Sequence, residues 1–326
     1  MSENLLYSRR DPFLDEEKYL DKKNIIQRKS NNEHLEEILS NPNDIIDYKC
    51  SVSWLFFTTC FEDTILGYSV GLPIDNVQDN FDKIFEYYLI HKKNYSSDVL
   101  QSWEPDSFQY ILWIYSLSVL LGRKEYSFPF SRWLTVIGDR KDDPVLSILL
   151  ARLGIIGFPR QRDESLAFPK SYQHLYDAIK GDGVSPTKAE RQESIKQYLR
   201  GWYKGMKDCY WHNRHKGKFP TFFGYWAFEA GMVTLLYGLD DSSYRHMLYY
   251  PKDLVDYARA KGYDQLFAAE QMEKQKHYIL LPGDESAIDG TFLCNLTNDQ
   301  ITLNHGDRAP GPVEDENSNS IFWVSQ

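Results

Sequence analysis

His212 and His215, with Asn213 and Arg214 between them, form the one pair in this chain with metal-like spacing. Two histidines at i and i+3 can share a helix face, but a catalytic zinc site also needs a third ligand and usually an acid nearby. Arg214, Lys216 and Lys218 oppose a cation there, so packing beside Trp211 is the favoured role and no metal is expected. A hydrolytic reading would recruit Glu229 as the acid. Lys216-Gly217-Lys218 is a basic turn, not a phosphate loop, and neither Gly-x-x-x-x-Gly-Lys-Ser/Thr nor His-Glu-x-x-His occurs. No catalytic residue and no cofactor are expected.

The remaining polar chemistry is carboxylate and phenol. Glu229 lies three residues after Trp226 and four before Val233, so it faces inward with them. A buried carboxylate must be hydrogen-bonded or paired, or take up a proton. A structural role and a direct functional role both remain open for it. Asp240 and Asp241 suit helix capping and suit contact with a partner. Tyr244, Tyr249 and Tyr250 fall in a loop region and could supply contact area at low entropic cost.

Helices must position these groups. Asp11-Pro12 reads as a cap and first-position proline opening a charged helix to about residue 30, with a short helix near 33–39 after it. Residues 51–66 read as a buried helix. Val77, Phe81, Ile84, Phe85 and Tyr88 give clean helical spacing, leaving Asp75, Asp79, Asp82 and Glu86 among the polar positions. Residues 108–121 are apolar nearly all round. Asp143-Pro144 starts a helix stopped by Gly154, and Ser185 caps another whose inner face is Ile195, Tyr198, Leu199, Trp202 and Met206. Tyr225, Trp226, Val233 and Tyr237 suggest a helix ended by Gly238. A short helix starts among Asp240–Ser243, the next has Pro251 at its first position and Asp253 in its first turn, and a last one spans about 264–276. After 276 the pattern changes: 277–281, 291–294, 300–303 and 321–324 read as short strands, with a hairpin turn at Asn298-Asp299 and a polar loop over 307–320.

The fold class is therefore mainly α: a two-domain helical bundle or array with a small β appendage near the C-terminus. The expected divisions are 1–135, 136–276 and a β-rich tail, 277–326. At 326 residues, two domains fit the length. The net charge of −10, from 47 acidic and 37 basic residues, argues against a general nucleic-acid binder and suits a basic partner. The acidic excess lies in 51–100 and 251–326, while 151–250 is net basic. The four cysteines are scattered, without a Cys-x-x-Cys pair, so disulfides and cysteine zinc sites are not expected. The N-terminus shows no signal-peptide pattern and no segment is apolar enough to span a bilayer, which points to the cytoplasm.

Several segments carry a resemblance. In order they are Gly224-Tyr225-Trp226, Phe228-Glu229-Ala230, Leu239-Asp240-Asp241-Ser242-Ser243, Tyr249-Tyr250-Pro251 and Asp253-Leu254. They are similar to the C-terminal signature of PoNi-type immunity proteins. Gly201-Trp202-Tyr203 and Cys209-Tyr210-Trp211-His212 resemble the Trp-rich segment before that signature. Gly67-Tyr68-Ser69-Val70-Gly71 is similar to the Tyr-Ser-x-Gly turn of the family's N-terminal domain. The resemblance covers most of 10–275. It implies a bacterial cytoplasmic antidote to a secreted PoNe-like DNase toxin of type VI secretion-associated competition. Such a protein binds its toxin in a heterocomplex, covers the toxin's active site or DNA-binding groove, and binds neither nucleic acid nor membrane itself. Homo-oligomerisation stays open. The toxin-contact candidates are then Asp75, Asp79, Asp82, Glu86, Asp240, Asp241, Tyr244 and Asp253. Trp211, Tyr225, Trp226, Glu229 and Pro251 belong to the structural signature. The rival readings are a helical adaptor without a toxin partner and a metal-dependent hydrolase using His212 and His215.

Overall fold

A computed structural model describes residues 8–29, 32–95, 98–131, 134, 141–157, 161–162, 165–181, 185–217, 221–297, 299–312 and 321–326. The chain is mainly helical, with a five-stranded sheet built largely from its C-terminal end. Its contacts group into two compact units. One holds residues 1–95 and 210–225; the other holds 96–209 and 226–326. Set beside the expected divisions at 135 and 276, the contact units cut the chain at three other places, after residues 95, 209 and 225.

The first unit contains α1 (Glu16–Lys29), α2 (Asn32–Ser40), α3 (Ile46–Val70) and α4 (Ile74–Asn94). The expected helix start at Asp11-Pro12 is not used. Asp11 is only 2% exposed, and its carboxylate accepts from the backbone N–H groups of Phe13 (2.7 Å) and Tyr225 (2.9 Å). Helix α1 follows Asp15 instead, which accepts from the Lys18 N–H at 2.8 Å. Helix α3 is longer at both ends than its apolar run, and within it Thr64 and Ser69 return their hydroxyls to the carbonyls of Cys60 and Ile65. It stops at Gly71, whose φ of 93° lets the Gly71 and Leu72 N–H groups close on the Tyr68 and Gly67 carbonyls. Helix α4 then runs back along α3, burying Val77, Phe81, Ile84 and Tyr88 as the spacing requires.

The segment 210–225 completes this unit. The Tyr210 hydroxyl donates to Glu62 (2.9 Å), and the Ser69 hydroxyl donates to the Phe223 carbonyl (2.8 Å). Buried Lys22 pairs with Glu62 and lies over the Phe223 ring. The Arg10 guanidinium donates to the Tyr68 and Leu72 carbonyls at 2.9 and 2.8 Å, satisfying the free end of α3.

The second unit begins with α5 (Pro105–Leu120) and α6 (Lys124–Phe130), then β1 (Lys141–Asp142), α7 (Pro144–Arg152), β2 (Ile155–Ile156) and β3 (Gln161–Arg162). Next come α8 (Pro169–Ile179), α9 (Lys188–Gly205), α10 (Phe228–Leu236), α11 (Lys252–Ala260), α12 (Tyr263–Leu266) and α13 (Ala269–Lys274). Strands β4 (His277–Leu280), β5 (Gly290–Cys294), β6 (Gln300–Leu303) and β7 (Trp323–Ser325) close the chain. Helix α7 is capped by Asp143, as expected, through a 2.8 Å bond from the Val145 N–H. Helix α9 is capped by Thr187 in a reciprocal box with Glu190, not by Ser185. Its inner residues Ile195, Tyr198, Leu199, Trp202 and Met206 are all buried. The last expected helix is two short ones, α12 and α13.

Strands β1 and β3 pair in parallel, and the larger sheet has the order β2-β4-β7-β5-β6. Only the β2–β4 pair in it is parallel. Leu280, Phe292, Cys294, Leu303 and Trp323 form its apolar core. The four C-terminal strands fall where the alternation places them. Asn298, half of the expected hairpin turn, and 313–320 of the expected loop lie outside the described residues. Among the described residues no helix is long and apolar enough to cross a membrane.

Candidate functional site

Helix α4 is amphipathic, and the positions left over from its core face carry the acidic candidates. Asp75, Asp79 and Glu86 are exposed and Asp82 is half-buried. Leu89, one turn beyond Glu86, is 50% exposed, so the acidic row ends on an apolar side chain. Asp75 sits in the first turn, where a carboxylate offsets the helix dipole. The row offers a partner negative charge on a rigid element.

In the second unit, Asp240 and Asp241 do different things. Asp240 is exposed. Its carboxylate accepts from the Ser242 N–H (3.0 Å) and hydroxyl (2.9 Å), and the backbone bond above all holds it below the usual carboxylate range. Asp241 is 3% exposed and accepts from Arg245 (3.1 Å), Arg259 (3.1 Å) and the Tyr250 hydroxyl (3.0 Å). Tyr244 is 1% exposed, lies edge-on to Tyr250, and shares a 3.0 Å hydrogen bond with Thr234. Burial pushes its phenol up to about 12. The expectation that Asp241 and Tyr244 face a partner does not match this placement, because their side chains are enclosed. Residues 240–250 form turns, not the expected short helix. Asp253 is half-buried in the first turn of α11, with Pro251 at the N-cap, one position earlier than expected.

Glu229 is fully buried on α10. One carboxyl oxygen accepts from the Tyr198 hydroxyl and the Trp202 indole N–H, both at 2.6 Å. The Gln109 side-chain N–H group faces the carboxyl. Gln109 also accepts from the Tyr172 hydroxyl at 2.7 Å. Burial raises the Glu229 carboxyl, and burial plus that neighbouring carboxylate push the Tyr198 phenol far up. This is an enclosed knot tying α5, α8, α9 and α10 together. Tyr225 and Trp226 precede α10 instead of lying in it, so the expected helix starts at Phe228.

The histidine pair does not share a helix face. Asn213 between the two has a left-handed φ of 63°, and His215 sits in a 3₁₀ turn. His215 Nδ1 is 2.8 Å from the Tyr225 hydroxyl, and its ring packs on Phe13. Burial, helped by Lys216 and Lys18, lowers its pKa. Trp211, also buried, packs 5.7 Å from the Tyr225 ring. Gly67-Tyr68-Ser69-Val70-Gly71 also has the Gly-x-Ser-x-Gly spacing of a nucleophile elbow. Ser69 lies at a helix end, wholly buried, with its hydroxyl at 2.8 Å from both the Ile65 and Phe223 carbonyls. That is neither the strand-to-helix turn nor the exposure an elbow requires.

Comparison with known proteins decides what this arrangement belongs to. The family model described as PoNe immunity protein (PoNi), N-terminal, matches residues 10–129, and the model described as PoNe immunity proteins (PoNi), C-terminal, matches 141–254. The chain belongs to the PoNi family of PoNe immunity proteins. No curated protein matches the chain. Among solved structures, protein PA2201 from Pseudomonas aeruginosa is similar at a TM-score of 0.55 with 17% identity, over 78% of this chain and 92% of that one. That likeness concerns the fold. The PoNi matches end before β4, so neither family model includes the C-terminal strands.

Proposed function

We propose that this protein binds a PoNe nuclease toxin stoichiometrically and neutralises it by covering the toxin's active site or DNA-binding groove. The observation that carries this reading is the match to both halves of the PoNi family. A surface on α4 supports the mechanism. Asp75, Asp79, Asp82 and Glu86 present carboxylates from one rigid helix, in a chain of net charge −10. A nuclease must hold a polyanion, so its groove is basic, and complementary charge speeds encounter and fixes register. Exposed Asp240 is the corresponding candidate in the second unit. The role is binding, without turnover, in the bacterial cytoplasm where a DNA-cutting toxin acts, and type VI secretion is the delivery route that the family implies.

Co-expression with its cognate PoNe toxin tests the reading. Cells carrying both genes are expected to grow with intact DNA, and the two proteins to copurify. DNA damage undiminished by this protein, with the chain folded and present, would overturn it.

A further inference from the structure

A cleft of about 880 Å³ opens between α8 and α9, lined by Lys170, Arg200, Lys204 and Lys207 against the single carboxylate of Asp208. In a chain of net charge −10 this is an island of opposite sign. Lys207 stands 3.9 Å from Asp208. Lys170, Arg200 and Lys204 are exposed and have no partner among the described residues. Half-buried Phe168 and exposed Pro169 supply apolar lining.

Gly201 lies on the same lining, inside α9. A glycine within a helix costs about 1 kcal/mol relative to alanine, so it normally has a packing reason. Here a Cβ would meet nothing within 4 Å, so packing gives none. Its position leaves the lining without a side chain between Arg200 and Lys204.

We propose that this cleft binds an extended acidic segment of a protein partner. Arg200 and Lys204 are one helical turn apart, about 6 Å along the axis. Alternate side chains of an extended peptide repeat at about 7 Å, so two carboxylates on one edge meet both cations. Arg200 offers a planar fork for one carboxylate, Lys204 and Lys170 offer point charges, and Phe168 takes an apolar neighbour. The cations are spread out and exposed, which suits a segment and not a single small anion. The strongly negative chain as a whole repels a long nucleic acid. The cleft belongs to the second unit, and its proposed use requires no toxin.

The test uses the full-length protein and a short fluorescein-labelled peptide of alternating Glu and Phe, read by anisotropy at low and high salt. Saturable, salt-sensitive binding is expected, with little binding of the same peptide carrying Gln for Glu. Arg200→Glu with Lys204→Glu should weaken it at least ~10-fold, as expected for losing charge-assisted pairs. Gly201→Leu should block it equally while leaving the melting temperature at or above wild type, so the steric variant serves if charge reversal harms folding. Lysine substitutions on α4 should leave peptide binding unchanged. Absence of saturable binding, or affinity unchanged in both cleft variants, overturns the proposal. So does a single-stranded oligonucleotide of equal charge that binds more tightly than the peptide and is lost in the same variants.

Discussion

Along α4, Asp79 and Glu86 stand in solvent opposite a face of Val77, Phe81, Ile84 and Tyr88. Around α10, Glu229 and Asp241 are 0% and 3% exposed and hold two and three donor side chains respectively. The same functional group thus does two jobs. An exposed carboxylate contributes little to stability and remains available to a partner. A buried one is costly unless donors surround it, and once surrounded it fixes the elements that supply them. The segment that identifies the family is built from the second kind.

The contrast is broken most directly at Glu229. Glu229→Ala strips the acceptor from the Tyr198 hydroxyl and Trp202 N–H and leaves a cavity, and should cost about 3–5 kcal/mol. Thermal unfolding would show a lower melting temperature by roughly 10 °C for a unit of this size. Asp241→Ala should cost about 2–3 kcal/mol, by leaving Tyr250, Arg245 and Arg259 without their shared acceptor. A melting temperature within 2 °C of wild type in either variant would erase the difference between the two regions, a shift corresponding to roughly 1 kcal/mol or less.

Asp11 sharpens the contrast through pH. Burial pushes its carboxyl up to about 6 from 3.8. The folded state therefore binds this proton more tightly than the unfolded chain. Its contribution is complete below 3.8 and is lost as pH rises through about 6. Asp11→Asn should flatten that part of the stability–pH curve in urea titrations, at a cost of about 1 kcal/mol for one backbone N–H left without its side-chain acceptor. A curve as steep as wild type between those pH values would show that Asp11 does not titrate in the folded unit.

The smallest stability effect belongs to α4. Asp79→Lys with Glu86→Lys should change unfolding free energy by no more than about 0.5 kcal/mol. Toxin association should nevertheless slow about 10-fold at low salt and less at high salt, measured by stopped flow. Unchanged association would remove α4 from the contact surface while leaving family membership intact.

Periodicity made α4 legible, because its apolar positions recur at helical spacing whatever surrounds them. Alternation did the same for β4 to β7. Glu229 could be placed inside from its neighbours Trp226 and Val233, but not its donors, which come from α9 about 30 residues earlier in the chain. Asp-Asp-Ser-Ser reads locally as a helix cap open to a partner, whereas the Asp241 and Tyr244 side chains are enclosed. The burial of Asp241 depends on Arg259, which sequence spacing does not connect to it. Asp11 was read as a helix cap for the same reason: its decisive partner, the Tyr225 N–H, lies more than 200 residues away. Strand β2 spans two residues between glycines, too short for any pattern to declare itself.

The first unit is discontinuous in sequence, and that has a consequence for biosynthesis. Residues 1–95 leave the ribosome well before 210–225, which carry the Phe223 carbonyl and Tyr225 N–H that Ser69 and Asp11 require. At ordinary elongation rates the delay is on the order of 10 s. During it, the α3–α4 hairpin waits with buried-type polar groups unmet, and the whole second-unit stretch 96–209 is made in between. Nascent chains arrested short of residue 210 should therefore be cut readily by protease within the first 95 residues, and chains released past 225 should resist. Synthesis order, as much as sequence, sets when this protein becomes able to act.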